Sequence, residues 1–207
     1  AAIALENMVE LATEEDAAIL IDASERLLQR AAEDGSVEGR TLLALFLGEY
    51  RSIEDGLDLL EEELGRLGVA RAAQFAERIF RHRLEDATPE QFARPISWIE
   101  KPLTTASGSD PRADALRLQL AGFYDLSGDA AKAESLYREL MTKSGVDKQI
   151  VAAVKNNLAF MMALRDGDPD EALALVEEAL DTLGPQAQVL DTRGMVHFTR
   201  GAYTSAV

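Results

Sequence analysis

Apolar residues recur every three to four positions along most of this chain, which predicts amphipathic α-helices. In the N-terminal half, Leu57, Leu60, Leu64 and Leu67 fall on one helical face. β-Branched residues occur only in short, scattered runs, so strands are not expected. The pattern therefore predicts an all-α fold. A second helix in this half repeats the spacing at Ala72, Phe75, Ala76, Ile79 and Phe80.

Polar residues in front of these apolar faces mark where helices begin. Thr13, Ser36 and Ser52 each precede a helical stretch and predict N-caps. The run Thr88-Pro89-Glu90-Gln91 combines an N-cap, a proline at the first helical position and a capping-box glutamine. Pro95 lies inside the helix that follows, and we expect it to kink or split that helix.

The C-terminal half contains an internal repeat. In three segments a small residue is followed three positions later by a bulky one, a glycine then marks a turn, and an alanine comes five residues on. The small residue and the alanine allow two helices to cross closely, and the glycine adopts the left-handed conformation that ends the first helix. The three series are Ala121, Tyr124, Gly128, Ala133; Ala159, Met162, Gly167, Ala172; and Gly194, His197, Gly201, Ala206.

This pattern resembles the tetratricopeptide repeat (TPR), a helix–turn–helix unit of about 34 residues. Two full TPR-like repeats are predicted at 114–147 and 152–186, and a truncated third at 187–207. The sequence departs from the family at the fourth position, where Arg117 and Lys155 replace a bulky residue.

The resemblance implies a right-handed α-α superhelix, or solenoid, of antiparallel helix pairs. On this interpretation residues 1–103 form degenerate TPR-like helical hairpins. The small and polar run at 104–111 is predicted to be a linker, and 112–207 to hold the regular repeats.

The amino-acid composition and the net charge of the chain mainly exclude classes of function. The chain carries 21 basic and 37 acidic residues, a net charge of −16, which disfavours binding to nucleic acid and favours basic partners. It contains no cysteine, so disulfides, thiolate nucleophiles and cysteine-based zinc sites are excluded. No apolar stretch is long enough to predict a membrane span, and no secretory signal is recognised at the start. The compartment stays open: cytoplasmic by default, with a periplasmic location as the alternative.

No constellation of catalytic residues is recognisable. His82 and His197 are the two histidines, and neither has a partner at metal-ligand spacing. Asp166-Gly167-Asp168 lacks the ligand ladder of a calcium loop, and no phosphate-binding glycine loop is present. We therefore expect no enzyme, no cofactor and no metal. The basic residues between Arg71 and Arg83 have two interpretations, a docking patch for an acidic partner or a polar helix face balanced by acidic neighbours.

The resemblance also implies where a partner would bind. In TPR stacks the first helix of each repeat lines a concave groove, and a groove asparagine such as Asn157 can hydrogen-bond to the backbone of an extended peptide. The alternative is that Asn157 bridges groups within the stack. A TPR subtype that grips a C-terminal carboxylate is not expected, because only Asn157 matches its set of ligands. The predicted groove residues are Gln119, Asp125, Asn156, Asn157, Phe160, Asp191, Thr192, Met195 and Phe198.

Three functions follow from these observations. The leading hypothesis is a protein–protein interaction scaffold that binds a basic or apolar peptide or protein in the groove. The second is the non-catalytic repeat region of a larger enzyme or sensor. The third is a structural module that self-assembles, with a homodimer formed through the exposed terminal repeat.

Overall fold

The structure, a computed structural model, describes residues 13–107, 110–165 and 167–202. These ranges form eleven α-helices and contain no strand, which confirms the all-α prediction. A short 3-10 turn at Leu84–Asp86 lies between the fifth and sixth helices. The helices are α1 Glu14–Ala32, α2 Val37–Tyr50, α3 Ile53–Glu62, α4 Leu64–Leu67, α5 Val69–His82, α6 Pro89–Leu103, α7 Pro111–Leu126, α8 Ala130–Thr142, α9 Lys148–Leu164, α10 Pro169–Leu183 and α11 Ala187–Thr199.

The chain divides into two compact units, which we call the N-terminal unit (up to Pro95) and the C-terminal unit (from Ile96). The division falls within α6, upstream of the 104–111 segment predicted as a linker. In that segment the described residues 104–107 and 110 are non-helical, and Pro111 begins α7.

The predicted helix starts are confirmed. The hydroxyls of Thr13, Ser36 and Ser52 each accept the backbone N–H three residues on, at 3.2, 3.1 and 3.4 Å. The capping box is complete: Thr88 N donates to Gln91 Oε1 at 3.0 Å, and Gln91 N donates to Thr88 Oγ1 at 3.3 Å. Each bond satisfies a backbone donor that a helix start would otherwise leave unpaired.

Pro95 does not split its helix, because α6 runs without interruption from Pro89 to Leu103. The proline removes one backbone hydrogen bond. Phe92 and Ile99 are buried on either side of it along the helix. Packing of these side chains holds both turns in place, which offsets the loss of one backbone bond.

Glycines allow helices to approach closely in the N-terminal unit, where α2 packs against α1, α3 and α5. A Cβ placed on Gly56 of α3 would lie 2.7 Å from the carbonyl oxygen of Ala44 and 2.7 Å from Cα of Gly48, both in α2. A Cβ on Gly48 would lie 2.5 Å from Cδ1 of Ile79 in α5. Both positions thus need a residue without a side chain.

In the C-terminal unit α9 makes most of the contacts between helices. α7 contacts α8 and α9, α8 contacts α9, α9 contacts α10 and α11, and α10 contacts α11. Ala121, Ala133, Ala159 and Ala172, the small residues of the first two sequence repeats, are all buried. Their burial agrees with the close helix crossings predicted from the repeat.

Candidate functional site

Helix α9 packs against both α7 and α11. These three helices hold all the predicted groove residues. Asn157 and Phe160 are three positions apart on α9, so they share one helical face. Both are half-buried, which leaves part of each side chain open to solvent.

The two asparagines of α9 have different environments. Asn156 is buried, with 3 % of its surface exposed, whereas Asn157 is half-buried. Asn156 Nδ2 donates a long hydrogen bond, 3.4 Å, to Asn157 Oδ1. Among the described residues Asn156 Oδ1 has no hydrogen-bond partner. Asn157 is therefore the residue of the pair that a ligand can reach.

On α7, both predicted residues, Gln119 and Asp125, are half-buried, and Asp125 is engaged in an ion pair. Its partner is Arg165, which follows the last residue of α9. Arg165 Nη2 also donates to the Asp125 carbonyl oxygen at 3.3 Å. The carboxylate of Asp125 thus connects α7 to the end of α9, and its charge is compensated by Arg165.

On α11, the predicted residues separate into buried and exposed. Thr192 is buried, and its hydroxyl donates to the Gln188 carbonyl oxygen at 3.0 Å, so it serves the helix itself. Met195 is half-buried against the core. Asp191 is exposed, and Phe198 has 59 % of its surface exposed. Among the predicted residues of α11, the exposed ones are therefore one carboxylate, Asp191, and one aromatic ring, Phe198.

Ion pairs occupy the fourth positions at which this sequence departs from the TPR pattern. Arg117 Nη1 contacts Oδ1 of the buried Asp114 at 2.8 Å, and Lys143 contacts the same carboxylate. Lys155 of α9 pairs with Glu178 of α10. The Asp114–Arg117 pair has helical i,i+3 spacing, a signal that the sequence reading missed.

Tyr124 links α7 to α6 within the C-terminal unit. Its hydroxyl donates to Glu100 Oε1 at 2.8 Å, and Lys132 Nζ lies 4.8 Å from the ring centroid. Burial, followed by the hydrogen bond to Glu100, raises the pKa of Tyr124 to about 12. The phenol therefore stays protonated at neutral pH and acts as a donor.

The basic residues of α5 and its end are mostly paired with acids. Arg78 makes two hydrogen bonds, of 2.6 and 3.1 Å, to Glu49, which is 6 % exposed. Arg81 pairs with Glu77 four residues before it, and Arg83 with an acid three residues on. This pairing favours the balanced polar face over a docking patch.

The histidines and acidic residues of the described ranges form no recognisable metal site. His82 is exposed and His197 half-buried, and no group of three metal-ligating side chains is found among the described residues. In the segment Asp166-Gly167-Asp168, which lacks the ligand ladder of a calcium loop, Asp166 lies outside the described ranges and Asp168 caps α10. Among the described helices, none combines the length and the apolar character that a bilayer span needs.

Of the predicted groove residues, Asp191 and Phe198 are exposed, Gln119, Asp125, Asn157, Phe160 and Met195 are half-buried, and Asn156 and Thr192 are buried. An amide, a carboxylate and apolar surface can bind a polypeptide, but they lack an activated nucleophile or an acid–base pair. No protein-family model matches the chain, and no curated protein matches its sequence.

Proposed function

We propose that the C-terminal unit is a TPR-like solenoid whose α7–α9–α11 face binds an extended peptide or partner protein without catalysis. The observation that supports this proposal is that α9 packs against both α7 and α11. That order of contacts is the one expected when successive first helices of helical hairpins line one face. Asn157 and Phe160 then lie at the centre of the face.

The ligand on this proposal is basic or apolar. The chain has a net charge of −16, which attracts cationic segments. Asp191 offers an exposed carboxylate to a lysine or arginine, whereas Asp125 is already paired with Arg165. The rings of Phe160 and Phe198 offer apolar surface beside these polar groups.

The test begins with a random decapeptide library selected on the wild-type chain. Affinity of the best peptide is then measured for Asn157→Ala/Asp191→Ala. Loss of a backbone hydrogen bond and of a partly exposed ion pair predicts about a ten-fold or greater weakening. The matched control is Ser135→Ala/Asp181→Ala, which also removes one neutral polar group and one carboxylate, from exposed positions on α8 and α10.

The control variant should bind the peptide as the wild type does. If both variants bind equally well, the binding surface lies outside the α7–α9–α11 face and the groove assignment is wrong. If no peptide or protein binds the folded chain at all, the interaction role is wrong. Far-UV circular dichroism and thermal melting confirm that each variant is folded.

Self-association is the second candidate, and exposed apolar residues of α11 favour it. Leu190 and Phe198 have 37 % and 59 % of their surfaces exposed. Exposed apolar patches commonly mark contact surfaces. Light scattering should then show a dimer that Phe198→Ser converts to a monomer. A wild-type monomer at high concentration would contradict this candidate.

A further inference from the structure

The carboxamides of Asn156 and Asn157 are coupled in a way that fixes which atoms Asn157 offers outward. Asn156 Nδ2 donates to Asn157 Oδ1 at 3.4 Å. The oxygen of Asn157 is therefore turned toward Asn156, and its NH2 group is turned away. Within the described part of the chain, that NH2 group makes no hydrogen bond.

The opposite orientation of the pair is less favourable. Turning over only one carboxamide would bring like atoms together, oxygen against oxygen or NH2 against NH2. Turning over both would let Asn157 donate to Asn156, but it would place the Asn156 NH2 where its Oδ1 now lies buried without a partner. A buried N–H without an acceptor is rarer and more costly than an under-satisfied carbonyl oxygen. Burial of Asn156 thus selects the observed orientation.

We propose that Asn156 is a positioning residue that holds Asn157 with its NH2 toward the ligand, so that the site recognises a main-chain carbonyl oxygen of an extended peptide. The inference rests on the proposed function of the α7–α9–α11 face. A freely rotating asparagine would accept from peptide N–H groups as readily as it donates to carbonyls. Asn157 held by Asn156 is selective for acceptors.

A thioamide scan of the selected decapeptide tests this selectivity, because a thioamide keeps the N–H donor but has a weaker acceptor than a carbonyl oxygen. In the wild type, one scanned position should bind about five-fold more weakly, the effect of losing one hydrogen bond. The variant Asn156→Leu keeps a similar side-chain volume and removes the donor to Asn157. In this variant the thioamide-sensitive position should lose most of its sensitivity.

Met162→Leu is the matched control, since Met162 is also buried on α9 but lies more than one turn from Asn157. It should keep the thioamide sensitivity of the wild type. A scan without any sensitive position in the wild type, or equal sensitivity in wild type and Asn156→Leu, would overturn the proposal. Either result leaves the proposed function intact as long as Asn157→Ala weakens binding of the unmodified peptide.

A measurement on the ligand-free wild-type chain covers the case in which Asn156→Leu does not fold. In side-chain amide NMR, the NH2 protons of Asn156 should exchange slowly with water, since this amide is buried. Those of Asn157 should exchange quickly, because they point to solvent. Slow exchange at Asn157 with fast exchange at Asn156 would refute the proposed orientation.

Discussion

Replacing Gly56 by alanine should separate α2 from α3 and destabilise the N-terminal unit. The added Cβ would lie 2.7 Å from the Ala44 carbonyl oxygen, 2.7 Å from Gly48 Cα and 2.9 Å from Gly48 N. All three are backbone atoms, so no rotamer change relieves the contact, and the two helices must move apart by several tenths of an ångström. Overpacking of this kind costs about 1–3 kcal/mol.

Gly65→Ala is the matched control, because Gly65 is also helical and a Cβ there would meet nothing within 4 Å. Alanine is better than glycine in a helix by about 1 kcal/mol, and this gain applies to both variants. The difference in free energy of unfolding between the two variants therefore isolates the steric term. We expect Gly56→Ala to be less stable than Gly65→Ala by about 2 kcal/mol.

Urea unfolding followed by far-UV circular dichroism measures this difference. Hydrogen exchange with mass spectrometry, read on peptides from 37–62, assigns the loss to α2 and α3. Equal stability of the two variants, within about 0.5 kcal/mol, would refute the close approach of these helices. So would a loss of protection elsewhere in the chain with α2 and α3 unchanged.

Three further predictions concern caps, buried charge and pH. Thr88→Ala removes half of the capping box of α6 and should cost about 1 kcal/mol in urea unfolding; an unchanged midpoint would count against the bond. Asp114→Asn takes a buried charge from its two cationic partners and should destabilise the C-terminal unit by about 2 kcal/mol, whereas Asp181→Asn at an exposed position should not. Because Tyr124 has a pKa of about 12 in the fold and ionises near pH 10 when unfolded, its contribution to stability is complete below about pH 10 and falls as pH rises toward 12. Tyr124→Phe should remove the fall in stability between about pH 10 and pH 12, together with the phenolate absorbance that appears near pH 12 in the wild type. If the absorbance titrations of the variant and the wild type were identical, the raised pKa of Tyr124 would be wrong.

Local chemistry explains why the helix starts could be predicted. Capping by Thr13, Ser36 and Ser52 depends only on a side chain and the backbone three residues on, so the sequence contains all that is needed. The close approach of Gly48 and Gly56 depends on which faces of α2 and α3 meet. That is a property of tertiary packing, and no spacing along the chain reports it.

The candidate site was harder to predict for a related reason. Neighbouring residues on a helix differ by about 100° in direction, so an uncertainty of one residue in the repeat register exchanges a buried position for an exposed one. Asn156 and Thr192 were predicted in the groove beside Asn157 and Asp191, but the structure places both in the interior. The ion pair of Asp125 with Arg165 spans α7 to the end of α9 and leaves no periodic signal.

The ion pair of Lys155 with Glu178 has a consequence for how far this sequence can diverge while the fold is kept. An apolar contact between helices constrains volume and shape at both positions, so most single changes are penalised. A half-exposed pair such as Lys155 with Glu178 can instead be lost at small cost or exchanged for the reversed pair. Substitutions can therefore accumulate at Lys155 and Glu178 while the helices stay in place, and resemblance to any consensus fades faster than the backbone changes.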